Sequence, residues 1–326
     1  MMPVDVVEFV LGGLAASCAV VFTNPLEVVK TRFQLQGELR ARGTYHRHYR
    51  NVFHAFYIIG RFDGLVALQS GLGPAIVYQM MQNGTRLGTY QLMQDFLTKN
   101  SASSRARIVP TILAAGIAGS LGAFVSSPMY LIKTQMQSQS VEVIAVGHQH
   151  EHTNWMRGLR RVYVEGGIPG LWRGVSAQTA RNGIGSMVQL PAFTASKQWV
   201  ADAQVFSPNS YFVPIIASMI AGAGNVVVMT PLDVISTRLY NQGLDNRGKG
   251  LFYRGFWDCV VKILRQEGPL GFYKGWSASW FRLAPQTVLS LSFWDVARKH
   301  YHRHLERRET SFLSSPTSPP PPPPCL

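Results

Sequence analysis

Acidic residues are scarce in this 326-residue chain: 17 Asp and Glu stand against 31 Lys and Arg, a formal net charge of +14. Charge of either sign is thin as well, at 15% of residues where soluble globular chains carry about 25%. The three cysteines, Cys18, Cys259 and Cys325, are too few and too scattered for a disulfide framework or a zinc site. There is no basic n-region ahead of a small-residue cleavage site and no Arg/Ser-rich presequence, so any address is expected inside the mature chain. A nucleophile elbow, a P-loop and a dinucleotide fingerprint are all missing, which argues against an enzyme. The basic residues are scattered through apolar segments with no nucleic-acid motif, so the positive excess points to an anionic membrane or an anionic solute. His148, His150 and His152 flank Glu151, but no further ligand lies nearby; we read a solvated loop and no metal site.

What the chain does have is apolar residues (46%), 30 glycines and an octapeptide written three times. Pro25-Leu26-Glu27-Val28-Val29-Lys30-Thr31-Arg32 returns from Pro128 to Gln135 and again from Pro231 to Arg238, a fixed period of 103 residues. A fixed period of this kind marks a triplicated structural unit. Each octapeptide closes a run long enough to cross a bilayer as a helix: residues 4–23, 108–127 and 211–230. Small-xxx-small pairs recur in phase at Gly12/Ala16, Ala115/Gly119 and Ser218/Gly222, the pattern that lets membrane helices approach closely. A short amphipathic helix is expected after each octapeptide, over residues 50–61, 155–164 and 255–266. Glycine turns ending at Gly71, Gly174 and Gly275 then open a second set of helices over 72–97, 175–200 and 276–297. That set is more polar, and polar groups at membrane depth belong on a shared aqueous interior. The domains therefore read as three repeats, 1–103, 104–206 and 207–306, and a Pro-rich disordered tail, 307–326. Cys325 sits too close to the end for a prenylation box.

Proline, carboxylate and base in three repeats, each followed by acid-Gly and then aromatic-basic-Gly, resembles the mitochondrial carrier family (solute carrier family 25) over about residues 4–305. The octapeptides and the Tyr240-Asn241-Gln242 segment look most like members 34 and 35, near the oxaloacetate and dicarboxylate carriers. The resemblance implies an all-α membrane protein: six transmembrane helices in a threefold pseudo-symmetric barrel with three short matrix helices. It further implies alternating access across the inner mitochondrial membrane, a monomer, and both termini toward the intermembrane space.

A proline turns each odd helix inward, and an acid and a base three residues apart share one helix face. The family's pairing, carried onto this chain, joins Glu27 to Lys133, Asp233 to Lys30 and Tyr130 to Ser236 as a matrix gate. Two departures coincide: Tyr130 stands for an acid and Ser236 for its base, so two hydroxyls are expected to hydrogen-bond there. Gln135 matches the family's bracing glutamine, with Arg32 and Arg238 at the equivalent positions. At the other end, 19 residues past each turn-ending glycine, Gln91 would meet Lys197, Asp295 would meet Gln94, and Thr194 would meet Arg298. No full ion pair forms in that set, which implies a weak intermembrane-space gate and a resting carrier closed on the matrix side.

Symmetric positions serve machinery, while positions that break symmetry recognise an asymmetric solute. Seven residues past the turn-ending glycines lie Tyr78, Arg181 and Arg282, roughly 10 Å up each helix. Arginine at that depth is a functional candidate by default, and two forked guanidiniums suit a small dianion. In the family these are the substrate contact points, and Arg181-Asn182 resembles the arginine-amide pair of keto acid and carboxylate carriers. Tyr78 and Gln79 could hydrogen-bond a keto or hydroxyl group, and Arg86 is either a third anion contact or a stabiliser of the intermembrane side. The solute implied is a dicarboxylate, a keto acid such as oxaloacetate, phosphoenolpyruvate, sulfate or phosphate. The rival readings are a proton-leak carrier and a carrier-derived adaptor that no longer transports. No cofactor is expected. Structural cardiolipin is, at Trp172-Arg173-Gly174 and Tyr273-Lys274-Gly275, while Gln69-Ser70-Gly71 lacks both aromatic and base and reads as a weak first lipid site.

Overall fold

The computed structural model describes residues 4–40, 44–45, 47–100, 108–202, 212–245 and 249–313, and some side chains inside the helices lie outside that description. The described residues form nine α-helices. Six are long: α1 (Val4–Leu35), α3 (Leu72–Asn100), α4 (Ile108–Ser138), α6 (Val175–Asp202), α7 (Phe212–Asn241) and α9 (Trp276–Leu313). The short ones, α2 (Val52–Phe62), α5 (Trp155–Leu171) and α8 (Phe256–Glu267), follow the odd helices of their repeats. Packing runs α1, α3, α4, α6, α7, α9 and back to α1, so the long helices close a ring. Among the described residues two helices, Val109–Ser138 and Met219–Asn241, are long and apolar enough to cross a membrane.

Three boundaries differ from the sequence expectation. The odd helices do not stop before the octapeptides but run through Pro25, Pro128 and Pro231. A proline inside a helix frees the carbonyl four residues back, and an orphaned carbonyl needs a donor. In repeat 1 the freed Val21 carbonyl accepts from Gln69 Nε2 at 3.0 Å; in repeat 2 the freed Phe124 carbonyl accepts from Trp172 Nε1 at 2.9 Å. Gln69 and Trp172 occupy equivalent positions, so a glutamine and a tryptophan do one job. Second, α5 continues to Leu171 across a kink at Gly167, whose φ of 62° is a left-handed value that favours glycine. Third, α9 extends through residues 307–313 that the sequence assigned to the disordered tail; residues 314–326 lie outside the described set.

Close approach of α4 and α6 depends on Gly119, where an added Cβ would sit 2.6 Å from the Asn182 carbonyl. The apolar cores gather at the octapeptide end. Val28, Val29 and Leu35 of α1 bury against Tyr49 and against Val52, Ala55 and Ile59 of α2. Val234, Ile235 and Leu239 of α7 do the same with Cys259 and Ile263 of α8. Elsewhere the outer faces expose Phe22, Leu113, Ile117, Phe124, Met219 and Val227.

Candidate functional site: a charged floor inside the helix ring

The octapeptide acids and bases meet at the centre of the ring. Lys133 Nζ lies 2.5 Å from Glu27, and Lys30 Nζ lies 2.5 Å from Asp233. Each carboxylate also holds an arginine from an even helix: Arg282 Nη1 is 3.1 Å from Glu27, and Arg181 Nε bonds Asp233. The floor is thus two cation–carboxylate–cation triads, each linking three helices. All six side chains are at least largely buried, a depth at which an unpartnered charge is expensive.

The third sector is aromatic. Tyr130 packs 5.2 Å from the Tyr78 ring and edge-on to Tyr240 at 5.0 Å, with Lys133 Nζ 5.1 Å from the Tyr78 ring centre. The expected hydrogen bond between Tyr130 and Ser236 is not made: Ser236 Oγ is buried without a partner. A serine hydroxyl stands one bond from Cβ, whereas the lysines it replaces cross the ring on four methylenes. Tyr130 therefore turns to the rings beside it.

Below the floor lies a second ring that the sequence expectation did not resolve. Arg32 Nε donates to the Gln137 carbonyl, Gln135 Nε2 to the Tyr240 carbonyl and Arg238 Nε to the Gln34 carbonyl, each at 3.3 Å. These are equivalent donors and acceptors, so every odd helix is tied to the next. The Oε1 of Gln135 faces His152 Nε2 at 2.9 Å. Arg32 also pairs with Asp63 at 2.5 Å, and Arg238 with Glu267 at 2.5 Å. In repeat 2 the matching acid has slipped: Glu165 pairs with Arg161 at 2.7 Å on the exposed face of α5. Beside the Arg238–Glu267 pair, burial raises the Glu38 carboxyl to about 7.

The segment from Ser140 to His152 is only partly solvated: Val141, Val143 and Glu151 are exposed, but other residues are tied into the fold. Ile144 and Val146 are buried, Tyr49 donates to the Ile144 carbonyl at 3.1 Å, and His150 Nε2 is 2.8 Å from the Asn241 carbonyl. It straps repeats 1 and 3 together, and burial depresses His150 to about 3. The His150 ring stacks on His152 and is tilted against His148, and among the described residues no His/Cys/Asp/Glu group could hold a metal ion.

Above the floor, Tyr78, Gln79, Arg181, Asn182 and Arg282 line one chamber of about 250 Å³. A second, of about 170 Å³, adds Ser186, Gln189, Asn225 and Ser279. A third, of about 430 Å³, opens toward Tyr90 and Phe193. Arg282 Nε is buried and has no hydrogen-bond partner, a donor left for a ligand. At the rim, Gln94 Nε2 bonds Tyr90 Oη at 2.7 Å within its own helix, and Gln91, Thr194 and Lys197 are exposed. The side chains of Asp295 and Arg298 lie outside the described residues, so the pairings assigned to them are not on view.

The basic residues of the glycine turns point inward. Lys274 pairs with Glu267 at 2.6 Å and donates to the Gln36 and Gly37 carbonyls, and Arg173 donates to the Gln242 carbonyl at 3.0 Å. Next to Tyr273, Lys274 and Gly275 a pocket of about 250 Å³ collects Arg40, Arg47 and Arg50.

Three repeats, each an odd helix, a short helix and an even helix around a charged cavity, define a membrane carrier architecture. Residues 5–101, 104–204 and 207–305 each match the mitochondrial carrier protein family, and the chain belongs to it. It is 50% identical over 299 residues to solute carrier family 25 member 35 of Mus musculus, covering 91% of this chain and 99% of that one. It is 38% identical to the mitochondrial oxaloacetate transport protein of Saccharomyces cerevisiae (90% of this chain, 89% of that one). With mitochondrial citrate transporter E of Aspergillus niger it shares 37% identity (94% and 96%).

Proposed function

We propose that this protein carries a small organic or inorganic anion across the inner mitochondrial membrane by alternating access, with all six long helices spanning the bilayer. The candidates are dicarboxylates, keto acids such as oxaloacetate, phosphoenolpyruvate, sulfate and phosphate. The observation that carries this reading is the pair Arg181 and Arg282, on α6 and α9, lining the same chambers with a buried Arg282 donor to spare. Arginine forks bind carboxylate or phosphate oxygens two at a time. The names of the yeast and Aspergillus relatives, an oxaloacetate and a citrate transporter, support the same solute class. Asn182, beside Arg181, and Tyr78 with Gln79 supply neutral hydrogen-bonding groups for the uncharged part of the solute.

In this reading the two triads are the closed matrix gate, and the chambers lie on the intermembrane-space side of it. With both ionic pairs of the floor made, the resting carrier is open outward in this reading. Termini toward the intermembrane space, a monomer and bound cardiolipin complete the proposal. The inward turn of Lys274 and Arg173 leaves the headgroup to the first-turn amides of α6 and α9 and, near α9, to Arg40, Arg47 and Arg50. The test is exchange in proteoliposomes: Arg181→Ala and Arg282→Ala are each expected to lower uptake by at least two orders of magnitude. Full exchange by both would refute the assignment.

A further inference from the structure

Of the residues that line the three chambers, Arg86 alone lines all of them. It projects from α3, half-buried, with its stem against Gly122 of α4. Unlike Arg181 and Arg282 it shares no carboxylate among the described residues: the described acids lining the chambers are Glu27 and Asp233, and each already holds two cations. Among the described residues the cations lining the chambers are Lys30, Lys133, Arg86, Arg181 and Arg282, five against two acids, an excess of three positive charges. The two triads contribute one each and Arg86 the third. Around Arg86 stand neutral hydrogen-bonding groups, Ser186, Gln189 and Asn225, whose hydroxyl and amide N–H groups can donate to an anion.

We propose that Arg86, with Gln189 and Asn225, is a third anion subsite that makes this carrier prefer small anions with three charges over those with two. Resting on the reading of this cavity as the solute path, it assigns Arg86 to specificity. A dianion between Arg181 and Arg282 leaves one positive charge uncompensated among the described residues that line the three chambers; a third anionic group placed at Arg86 neutralises it. Excess charge of one sign in a cleft with low-dielectric walls is felt strongly by a ligand, so the preference is built into the walls as well as the contact.

Glutarate and tricarballylate share one three-carbon chain between their terminal carboxylates and differ by the central carboxylate of the second. Each is titrated against the purified protein in detergent at pH 8, and Kd is taken from the rise in Tm. Tricarballylate is expected to bind at least tenfold more tightly than glutarate. In Arg86→Gln the ratio should fall to near one, while Arg86→Lys, which keeps the charge, should retain most of it. Binding of glutarate with no preference for tricarballylate would overturn the third subsite and leave the anion-carrier reading standing. An Arg86→Gln ratio equal to that of the wild type would overturn the role of Arg86. If neither anion raises Tm, the proposal falls, and the carrier reading falls with it only if inorganic phosphate, sulfate and keto acids also fail.

Discussion

Two of the three sectors around the floor are ionic and one is aromatic, and the contrast shows how a threefold machine accommodates a substitution. In the ionic sectors a carboxylate on an odd helix reaches both a neighbouring lysine and an even-helix arginine. In the third, Tyr130 takes the place of the carboxylate and Tyr78 the place of the arginine, so an ion pair has become a ring pair at the same spot. The ring below repeats the pattern. Arg32 and Arg238 have acidic partners, while Gln135, again on α4, has His152. Two substitutions on one helix removed charge without leaving a buried charge alone, and the carbonyl contacts of the lower ring survive in all three sectors.

The contrast breaks most sharply at Asp233. Asp233→Asn leaves Lys30 and Arg181 buried without their anion, and removing one partner from a buried pair costs about 3–5 kcal/mol. A large fall in Tm in detergent is expected; a loss below about 1 kcal/mol would mean that the ionic sectors are no more demanding than the aromatic one.

A smaller effect should appear at Glu38, which touches only the ionic side of the molecule. Its carboxyl is raised from 4.5 to about 7 by burial, with Arg238 acting the other way. The folded protein therefore binds this proton more tightly than the unfolded chain, and its contribution to stability is present at low pH and lost as pH rises from about 4.5 through about 7. Glu38→Gln should flatten the decline of Tm over that window, and an unchanged slope would remove Glu38 from the account.

The smallest effect belongs to the aromatic sector. Ser236 Oγ has no partner, so Ser236→Ala should change stability by no more than about 0.5 kcal/mol. A loss of about 1 kcal/mol would instead reveal a hydrogen bond to the hydroxyl.

Much of this is legible in the sequence. The 103-residue period, the helix order and the family follow from the octapeptide alone, and the Glu27–Lys133 and Asp233–Lys30 contacts from charge, spacing and resemblance. What escaped had a common cause. The lower ring uses backbone carbonyls as acceptors, and a carbonyl leaves no mark in a side-chain alphabet. Gln69 looked like a lost aromatic and Trp172 like a lipid contact because the shared property, an N–H aimed at a proline-freed carbonyl, is invisible to residue class. The histidine strap looked solvated because polar residues with no periodicity read as loop, and burial there depends on Tyr49 and Asn241, far away in the chain. Residue class credits Ser236 with a hydroxyl but carries no measure of the distance it must span across the ring.

The double occupancy of Glu27 and Asp233 has a kinetic consequence. If the lysines are drawn away as the floor opens, each carboxylate still has an arginine, so opening exchanges partners rather than abandoning them. The same guanidiniums are the ones an arriving solute would claim. On the function proposed above, solute and floor would compete for Arg181 and Arg282, and the empty and loaded protein would differ in what holds their acids in place. A carrier of this kind counts its cargo with the same groups that lock its floor.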